Sequence, residues 1–489
     1  MIKEIFKHSI IYGLGGMLKR ATGFLLLPLY TSYLTVSQYG ELEVFIVSTT
    51  IIFRVVQLGF GSALFKYFSY DTDSEQDSVY NQLVISSGFY FLLVFSAIAL
   101  VILFSFRENL SLLLFDTTDY ADLFSLVIVI VLFQTVHVIP RAYLRIQNRS
   151  ALYSSINIGE FLVQVGITIY LVAAKGMGIR GVLLAQVITT GLAAVVFTGI
   201  IFRKLLFRIS GRVIQEMLGY GIYLIPVSIG SLVLMMSSRY FILFYHNSNE
   251  LGIFTLGDKI SKILFMGVSA FQLAWPAIMF RIKDLPDAKD RYAEVITYYV
   301  MVFAGIFVML CTFSRELVLI LGNEEYLGAL FVIPVLVGAY MIYGFFYSGT
   351  IGINIYKKTY YQTIAMILAA LVNLGLNFLL TPAYGIIGTA LAFLGASITL
   401  SATAVTFSQR IYRVPVEWRR IGLLVVGATG VVSIYYLALQ SLDIVHILLK
   451  ILLILLVLPL FLYITGFFTR SEKAFILRRL HLLRNGLKS

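Results

Sequence analysis

Long apolar segments separated by short polar connections repeat along the whole chain. About fourteen can be placed, each long enough to cross a bilayer as a helix. Their predicted limits are 9–34, 42–68, 79–105, 121–144, 152–174, 179–202, 216–245, 251–279, 292–313, 328–350, 360–381, 384–407, 420–439 and 446–468. Segments such as 447–468 are apolar on all sides rather than alternating, which is typical of lipid-facing helices and not of outer-membrane strands. The pattern predicts an all-α, polytopic membrane protein.

The connections between these segments alternate in charge. Those such as 203–212 and 281–291 are rich in Arg and Lys, whereas 35–41 and 382–385 contain none. The positive-inside rule therefore places the basic connections and both termini in the cytoplasm. Most of the net charge of +12 comes from these basic connections, which interact with the anionic inner leaflet, so no nucleic-acid partner is expected. One cysteine, Cys311, excludes an internal disulfide, and we predict no metal site and no cofactor.

Cations interrupt the first two apolar segments near their middles. Lys19 and Arg20 lie in the segment 9–34, and Arg54 lies in 42–68. Lys19 is roughly 15 Å from either end of its segment, too deep for its ammonium to reach the headgroups easily. Each such cation costs about 2.5 to 3.5 kcal/mol on insertion scales unless it faces a hydrated cavity or an anionic ligand. We interpret these side chains as lining a path for a negatively charged substrate.

Further charged residues within the segments extend this prediction. Arg239, Lys259 and Lys262 are further candidates for substrate binding. The carboxylates counted within the segments are two, Glu160 and Asp258, so positive charges outnumber negative ones. The excess of positive charge favours a pyrophosphate-bearing cargo, whose oxygens suit Arg. Alternatives stay open. Arg239 could instead reach headgroups, and the two carboxylates could be structural counter-ions or could bind a coupling ion such as a proton or sodium, with chloride a further alternative.

Glycine and proline residues mark two segments as candidate hinges. Gly16, Gly23 and Pro28 lie in the first segment, and Gly221 and Pro226 lie in the seventh. Small residues allow helices to approach closely, and proline permits bending. Close packing and gating motion are both compatible with this pattern.

The chain also contains a weak internal repeat. An offset of 212 residues aligns Tyr39-Gly40 with Leu251-Gly252, and an offset of 207 aligns Gly178 to Gly181 with Gly385 to Gly388. Segments 1 to 6 then correspond to segments 7 to 12, with a substrate site expected where two such lobes meet. We predict an N-terminal lobe at 1–208, a C-terminal lobe at 209–413, and two extra helices with a basic tail at 414–489.

Short motifs resemble those of a known family. Leu27-Pro28-Leu29, Thr31 to Thr35 and Tyr39-Gly40 are similar to the first-hairpin signature of Wzx-type polysaccharide transporters of the multidrug/oligosaccharidyl-lipid/polysaccharide exporter superfamily, and 251–260 resembles their span 8 motif. In one departure, Ser238 occupies the place beside Arg239 where the family often has an acid. The resemblance implies a flippase that moves undecaprenyl-pyrophosphate-linked oligosaccharides across the bacterial inner membrane for O-antigen, capsule or similar polymers. Polysaccharide polymerase and chain-length proteins are the further partners that it implies.

Two other functions are weighed against this one. A drug or cation exporter of the same superfamily would carry carboxylates in its cavities, whereas the first segment has two cations and no acid. A membrane polysaccharide polymerase would need a large outward loop, and the longest outward connections, near 107–119 and 315–326, are modest. Asp71-Thr72-Asp73 has the spacing of a glycosyltransferase metal-binding pair, but it lies in a loop too short for a nucleotide-binding fold. We therefore predict no catalytic residues, and the glycan itself is not determined by the sequence.

Overall fold

The computed structural model describes residues 23–69, 75–438, 441, 443–468 and 472–473, and these residues are helical throughout their ordered elements, with no strand among them. The first half of the described chain forms the helices α1 (Leu27–Tyr33), α2 (Val36–Val56), α3 (Phe60–Tyr67), α4 (Glu75–Ser105), α5 (Arg107–Phe115), α6 (Ala121–Val136), α7 (Val138–Ile146), α8 (Ser150–Ile169), α9 (Gly178–Phe202), α10 (Gly211–Gly221) and α11 (Ile225–Tyr245). The predicted all-α class is confirmed.

The second half continues in the same way. It forms α12 (Ser248–Ile282), α13 (Ala288–Thr312), α14 (Ser314–Leu321), α15 (Ile333–Gly349), α16 (Ile351–Ile355), α17 (Tyr360–Ile411), α18 (Trp418–Ala438), α19 (Ile444–Leu452) and α20 (Leu458–Ile464), with short 3₁₀ turns at Ile222–Leu224 and Glu324–Phe331 and π turns at Tyr170–Ala174 and Leu453–Val457. Most boundaries lie within a few residues of the predicted segments.

Eleven helices in the described ranges are long and apolar enough to cross a membrane, or twelve if the pair Glu324–Phe331 and Ile333–Gly349, bent by 50°, is one span. Helix α17 has 52 residues, about 78 Å at roughly 1.5 Å per residue, which is far more than one crossing needs. Its backbone leaves helical geometry at Gly385, inside the predicted connection 382–385. Because the first predicted segment lies mostly outside the described residues, the total of fourteen stays a prediction.

A tight turn at Gly385 folds α17 back on itself. Gly385 has φ of +55°, a conformation that L side chains rarely adopt, and Thr381 and Thr389 hydrogen-bond across the turn at 2.9 Å. Gly178, the residue that the 207-residue offset aligns with Gly385, has φ of +54°. The shared conformation supports the predicted internal repeat.

The described chain divides into two compact units. One unit comprises residues up to Leu256 with Leu321–Tyr326 and Ala370–Ala392, and the other comprises Gly257–Ile320, Leu327–Ala369 and the residues from Phe393 onward. In the first unit, Phe60, Val84, Ile139 and Met217 belong to one buried apolar cluster. In the second unit, a corresponding cluster contains Trp275, Met279, Tyr292 and Val414. The predicted lobe boundaries are not decided by this division and stay a prediction.

The backbones of α2 and α12 approach each other closely where these helices begin. A Cβ added at Gly40 would lie 2.0 Å from the Ser248 carbonyl oxygen, and one at Gly252 would lie 2.1 Å from the Val36 carbonyl oxygen. Gly40 and Gly252 are the pair that the 212-residue offset aligns, so equivalent positions of the two repeats pack against each other. Because any side chain at either position would collide with backbone, only glycine permits this contact.

We expect Gly40→Ala to lower the free energy of unfolding by about 1 to 3 kcal/mol, because the added methyl group must push two backbones apart. Gly159→Ala is the matched control, since a methyl group added at this helical glycine would have nothing within 4 Å and alanine favours helix. Thermal unfolding of the purified protein in detergent compares the two variants. Equal stability of both variants would contradict the close contact.

Candidate functional site

Arg239 is buried in the second half of α11 and forms an ion pair there. Only 2% of its side chain is exposed, and its Nη2 lies 3.4 Å from Oε1 of Glu43 on α2. Its Nη1 donates to the Met235 carbonyl oxygen at 3.0 Å, and the guanidinium lies 5.5 Å from the centre of the Phe254 ring. A carboxylate of the protein itself therefore neutralises this predicted substrate-binding residue.

Glu43 was not counted among the carboxylates within the predicted segments, and the structure shows that it is the acidic partner of Arg239. Glu43 lies inside the predicted segment 42–68 and is 3% exposed. Its helix begins at a capping box in which Thr35 and Gln38 satisfy each other's backbone amides, which sets the position of Glu43 further along the helix. A lone acid in an otherwise apolar stretch is a usable signal. The acidic partner of Arg239 comes from another helix, not from the adjacent position at Ser238.

Glu160 on α8 also has a basic partner. Arg141 Nη2 donates to Glu160 Oε1 at 2.5 Å, and Arg141 Nη1 donates to Asn157 Oδ1 at 3.1 Å. Arg141 Nε donates to His137 Nδ1 at 3.1 Å, and the guanidinium lies 4.8 Å from the centre of the Phe197 ring. Arg141 lies near the end of the predicted segment 121–144 and was not among the predicted site residues, but its helix α7 continues to Ile146 and its side chain contacts α8. Glu160 is thus placed as a counter-ion, and binding of a coupling ion there stays a prediction.

Asp258 and Lys262 form a third pair on α12. Lys262 Nζ lies 2.7 Å from Asp258 Oδ2, one helical turn apart, and Tyr340 Oη donates to Asp258 Oδ1 at 2.6 Å. The side chain of Asp258 is 2% exposed, whereas that of Lys262 is 29% exposed. Asp258 is therefore a counter-ion of Lys262, which agrees with the alternative that the carboxylates are structural counter-ions. Lys259 is half-buried on the same helix.

Arg54 differs from these residues. It lies in the last turn of α2 and is exposed, and within the described ranges no carboxylate lies within 4.0 Å of its guanidinium. Immediately after it, Leu58 and Gly59 adopt left-handed backbone conformations that separate α2 from α3. Among the predicted substrate-binding residues that the structure describes, Arg54 is the exposed one. Lys19, Arg20 and Gly16 lie outside the described residues.

The predicted hinge residues lie at helix interruptions. Helix α1 begins at Leu27 with Pro28 in its first turn, after a turn at Leu26 and a helical stretch that contains Gly23. Span 7 is interrupted by a 3₁₀ turn between Gly221, the last residue of α10, and Pro226, the second residue of α11. A Cβ at Gly221 would lie 2.1 Å from the Leu58 carbonyl oxygen. Gly221 therefore packs closely, and gating by these spans stays a prediction.

A further buried cation, which was not predicted from the sequence, lies in the last predicted segment. Lys450 is 0% exposed, and its Nζ lies 2.5 Å from Glu316 Oε1 and 5.1 Å from the centre of the Tyr435 ring. Among the predicted substrate-binding cations, Arg239 and Lys262 thus have protein carboxylates as partners. The cationic character of the site therefore depends on fewer of the predicted residues than expected.

Comparisons with known proteins agree with this architecture. A family model described as "Polysaccharide biosynthesis protein" matches residues 32–342, while no curated protein matches the sequence. Among solved structures, the lipid II flippase MurJ in an inward closed conformation has a TM-score of 0.74 at 16% identity, with 93% of this chain and 98% of that chain covered. An inward-facing multidrug resistance MATE family transporter of the MOP superfamily has a TM-score of 0.67 at 11% identity, with 83% and 95% covered.

A third similar structure is a MOP superfamily transporter from Pyrococcus furiosus Vc1 (DSM3638), described as having a binding pocket of reverse polarity. Its TM-score is 0.59 at 12% identity, and 86% of this chain and 96% of that chain are covered. At these identities the likeness shows a shared fold and nothing more specific. The described chain therefore has the polytopic fold of MurJ and MATE transporters.

We expect Glu43→Gln to lower the free energy of unfolding by about 3 to 5 kcal/mol, because it leaves the Arg239 guanidinium buried without a counter-charge. Glu216→Gln is the control, since its partner Arg212 is 89% exposed and such a pair contributes about 1 kcal/mol or less. Adding Arg239→Met to Glu43→Gln should restore part of the loss. Thermal unfolding in detergent measures all of these variants beside the unaltered protein, and a change no larger for Glu43→Gln than for Glu216→Gln would refute the buried pair.

Proposed function

This chain belongs to the polysaccharide biosynthesis protein family, and from that premise we propose that it is a lipid-linked oligosaccharide flippase. The proposed cargo is an oligosaccharide joined to undecaprenyl through a pyrophosphate, carried from the cytoplasmic to the outer leaflet of a bacterial inner membrane. Family membership supports the saccharide, and the fold shared with a lipid II flippase supports the transport of a lipid-linked form.

The exposed guanidinium of Arg54 is the observation that carries the proposal. A cation within a membrane-spanning helix costs about 2.5 to 3.5 kcal/mol unless water or an anion faces it. The deep cations Arg239, Arg141 and Lys262 each have a carboxylate in contact, whereas the described residues provide none for Arg54. A diphosphate would supply both the negative charge and the paired oxygens that match a guanidinium. Lys19, Arg20 and Lys259 remain predicted further contacts.

The contact between Gly40 and Gly252 supports alternating access as the mechanism. The positive-inside prediction places the starts of α2 and α12 on the external side, so the closest backbone packing in these helices lies at the end where the cargo would leave. We propose that these helix starts separate during export and that the interruptions at Pro28 and Pro226 accommodate the movement. A site formed at the other end admits the sugar headgroup while the polyprenyl chain stays in lipid.

A drug or cation exporter is the main alternative, because MATE transporters share the fold. Such a protein needs carboxylates available to cations. In the described spans Glu43, Glu160 and Asp258 each contact a basic side chain, which favours an anionic cargo over a cationic one. The two functions make opposite predictions for removal of the Arg54 charge.

We expect Arg54→Ala to reduce polysaccharide export roughly 10- to 100-fold at normal membrane levels of the protein, the effect of losing about 1.5 to 3 kcal/mol of charged hydrogen bonding. Arg54→Lys should retain more export if charge matters more than fork geometry. The measurement is surface polymer in cells that carry each variant as their sole copy. Arg203→Ala is the control, because Arg203 is exposed at the end of α9 and lies in a predicted cytoplasmic connection.

Wild-type export from Arg54→Ala would reject the role assigned to Arg54. The exporter function would be favoured over the flippase function if Arg54→Ala left polymer export unchanged and deletion of the protein lowered the resistance of cells to cationic drugs. Loss of export in Arg203→Ala as large as in Arg54→Ala would also contradict the proposal, because it would reflect the general charge of the chain.

A further inference from the structure

A groove lies where α17 ends and α18 begins. It measures about 650 Å³, within the range of small-molecule sites, and it combines two guanidinium groups with an apolar lining. The side chains used below are those of Arg410, Arg413, Val405, Val416 and Trp418. None of these residues has a part in the site described above.

The connection between α17 and α18 is fixed by a hydrogen bond and by buried side chains. The backbone is extended at Tyr412, and the Val414 amide donates to Gln409 Oε1 at 2.9 Å. Val414 is 5% exposed and belongs to the buried cluster around Trp275, while the Tyr412 ring packs edge-on against Tyr292 at 6.2 Å. Since side chains alternate along extended backbone, the inward packing of residues 412 and 414 directs Arg413 outward.

Both arginines keep their charge available. Arg410 and Arg413 are exposed, and no carboxylate in the described part of the chain lies within 4.0 Å of either guanidinium. The acid that is nearest in sequence, Glu417, is 2.9 Å from Arg420 and accepts a hydrogen bond from Thr297 at 2.6 Å. The groove is therefore positively charged, and its arginines stand on a backbone fixed by packing.

The groove lies at a membrane–water interface. Arg410 is in the last turn of one membrane-spanning helix, and Trp418 begins the next. Trp418 is 61% exposed, as expected of a tryptophan at the headgroup level. The positive-inside prediction places this connection at the cytoplasmic leaflet, where anionic lipids and basic pockets between helices meet.

We propose that this groove binds an anionic phospholipid of the inner leaflet. Its phosphate contacts Arg410 and Arg413, and the first part of an acyl chain lies against Val405 and Val416. A soluble phosphate would use the two arginines alone, so the apolar lining assigns the site to a lipid. None of these residues belongs to the proposed cargo site, and this proposal does not depend on the proposed function.

Trp418 offers a direct readout, because the chain contains only two tryptophans. Trp275→Phe leaves Trp418 as the sole emitter and removes no hydrogen bond, since Trp275 Nε1 has no partner in the described chain. The full-length Trp275→Phe protein is reconstituted in phosphatidylcholine vesicles with acyl-brominated phosphatidylglycerol or acyl-brominated phosphatidylcholine. We expect the phosphatidylglycerol probe to quench Trp418 at a mole fraction at least about fivefold lower than the phosphatidylcholine probe.

Arg410→Ala with Arg413→Ala should abolish this difference between the two probes. Arg203→Ala with Arg208→Ala should retain it, since this control removes the same charge from exposed residues of another predicted cytoplasmic connection. If the two probes quench Trp418 equally in the Trp275→Phe protein with all arginines present, the proposal is wrong. This outcome can be observed without any arginine variant. Loss of the difference in the control pair, or its reversal by millimolar inorganic phosphate, would overturn it as well.

Discussion

A charged side chain inside an apolar helical bundle must have a counter-charge or water, and this constraint decides which helices of this protein pack together. The desolvation cost of an isolated ion exceeds any packing gain that a single side chain offers. Arg239 on α11 therefore fixes α2 through Glu43, and Arg141 on α7 fixes α8 through Glu160. Lys450 on α19 in the same way fixes α14 through Glu316. The pairs neutralise these cations within the fold, so that an exposed cation such as Arg54 stands out as chemically different.

Glycine provides the second organising element. Gly40 and Gly252 allow two helix starts to meet backbone to backbone, and Gly385 allows α17 to reverse direction. Gly40 and Gly252, like Gly178 and Gly385, correspond through the internal repeat, so the same local conformations recur in both halves. At Gly40 and Gly252 the two aligned positions pack against each other. Proline-associated interruptions lie in spans 1 and 7, which directly precede α2 and α12 in the chain.

Hydropathy was sufficient to predict the helices, because a spanning helix is specified by a local run of apolar residues. The predicted 179–202 is observed as Gly178–Phe202, and the connection 382–385 contains the observed turn. Partners across the bundle were not predictable, because periodicity tells which residues are apolar but not which helices are neighbours. Arg141 lies near the end of the predicted segment 121–144 and was not counted among its charges, because hydropathy does not show that its helix continues to Ile146 and packs beside Glu160. Glu43 and Lys450 could have been identified from the sequence, because each is a charged residue within a predicted apolar segment.

The central claim is that this chain carries a lipid-linked saccharide across a membrane. The most direct test reconstitutes the purified full-length chain in vesicles with undecaprenyl-pyrophosphate-linked oligosaccharide extracted from cells depleted of the protein, and follows the access of an added glycosidase to the sugar. With lipid distributed over both leaflets, we expect the protected half to become accessible only when the protein is present. Protection that persists at every protein-to-lipid ratio, in vesicles shown to contain correctly folded protein, would contradict the claim.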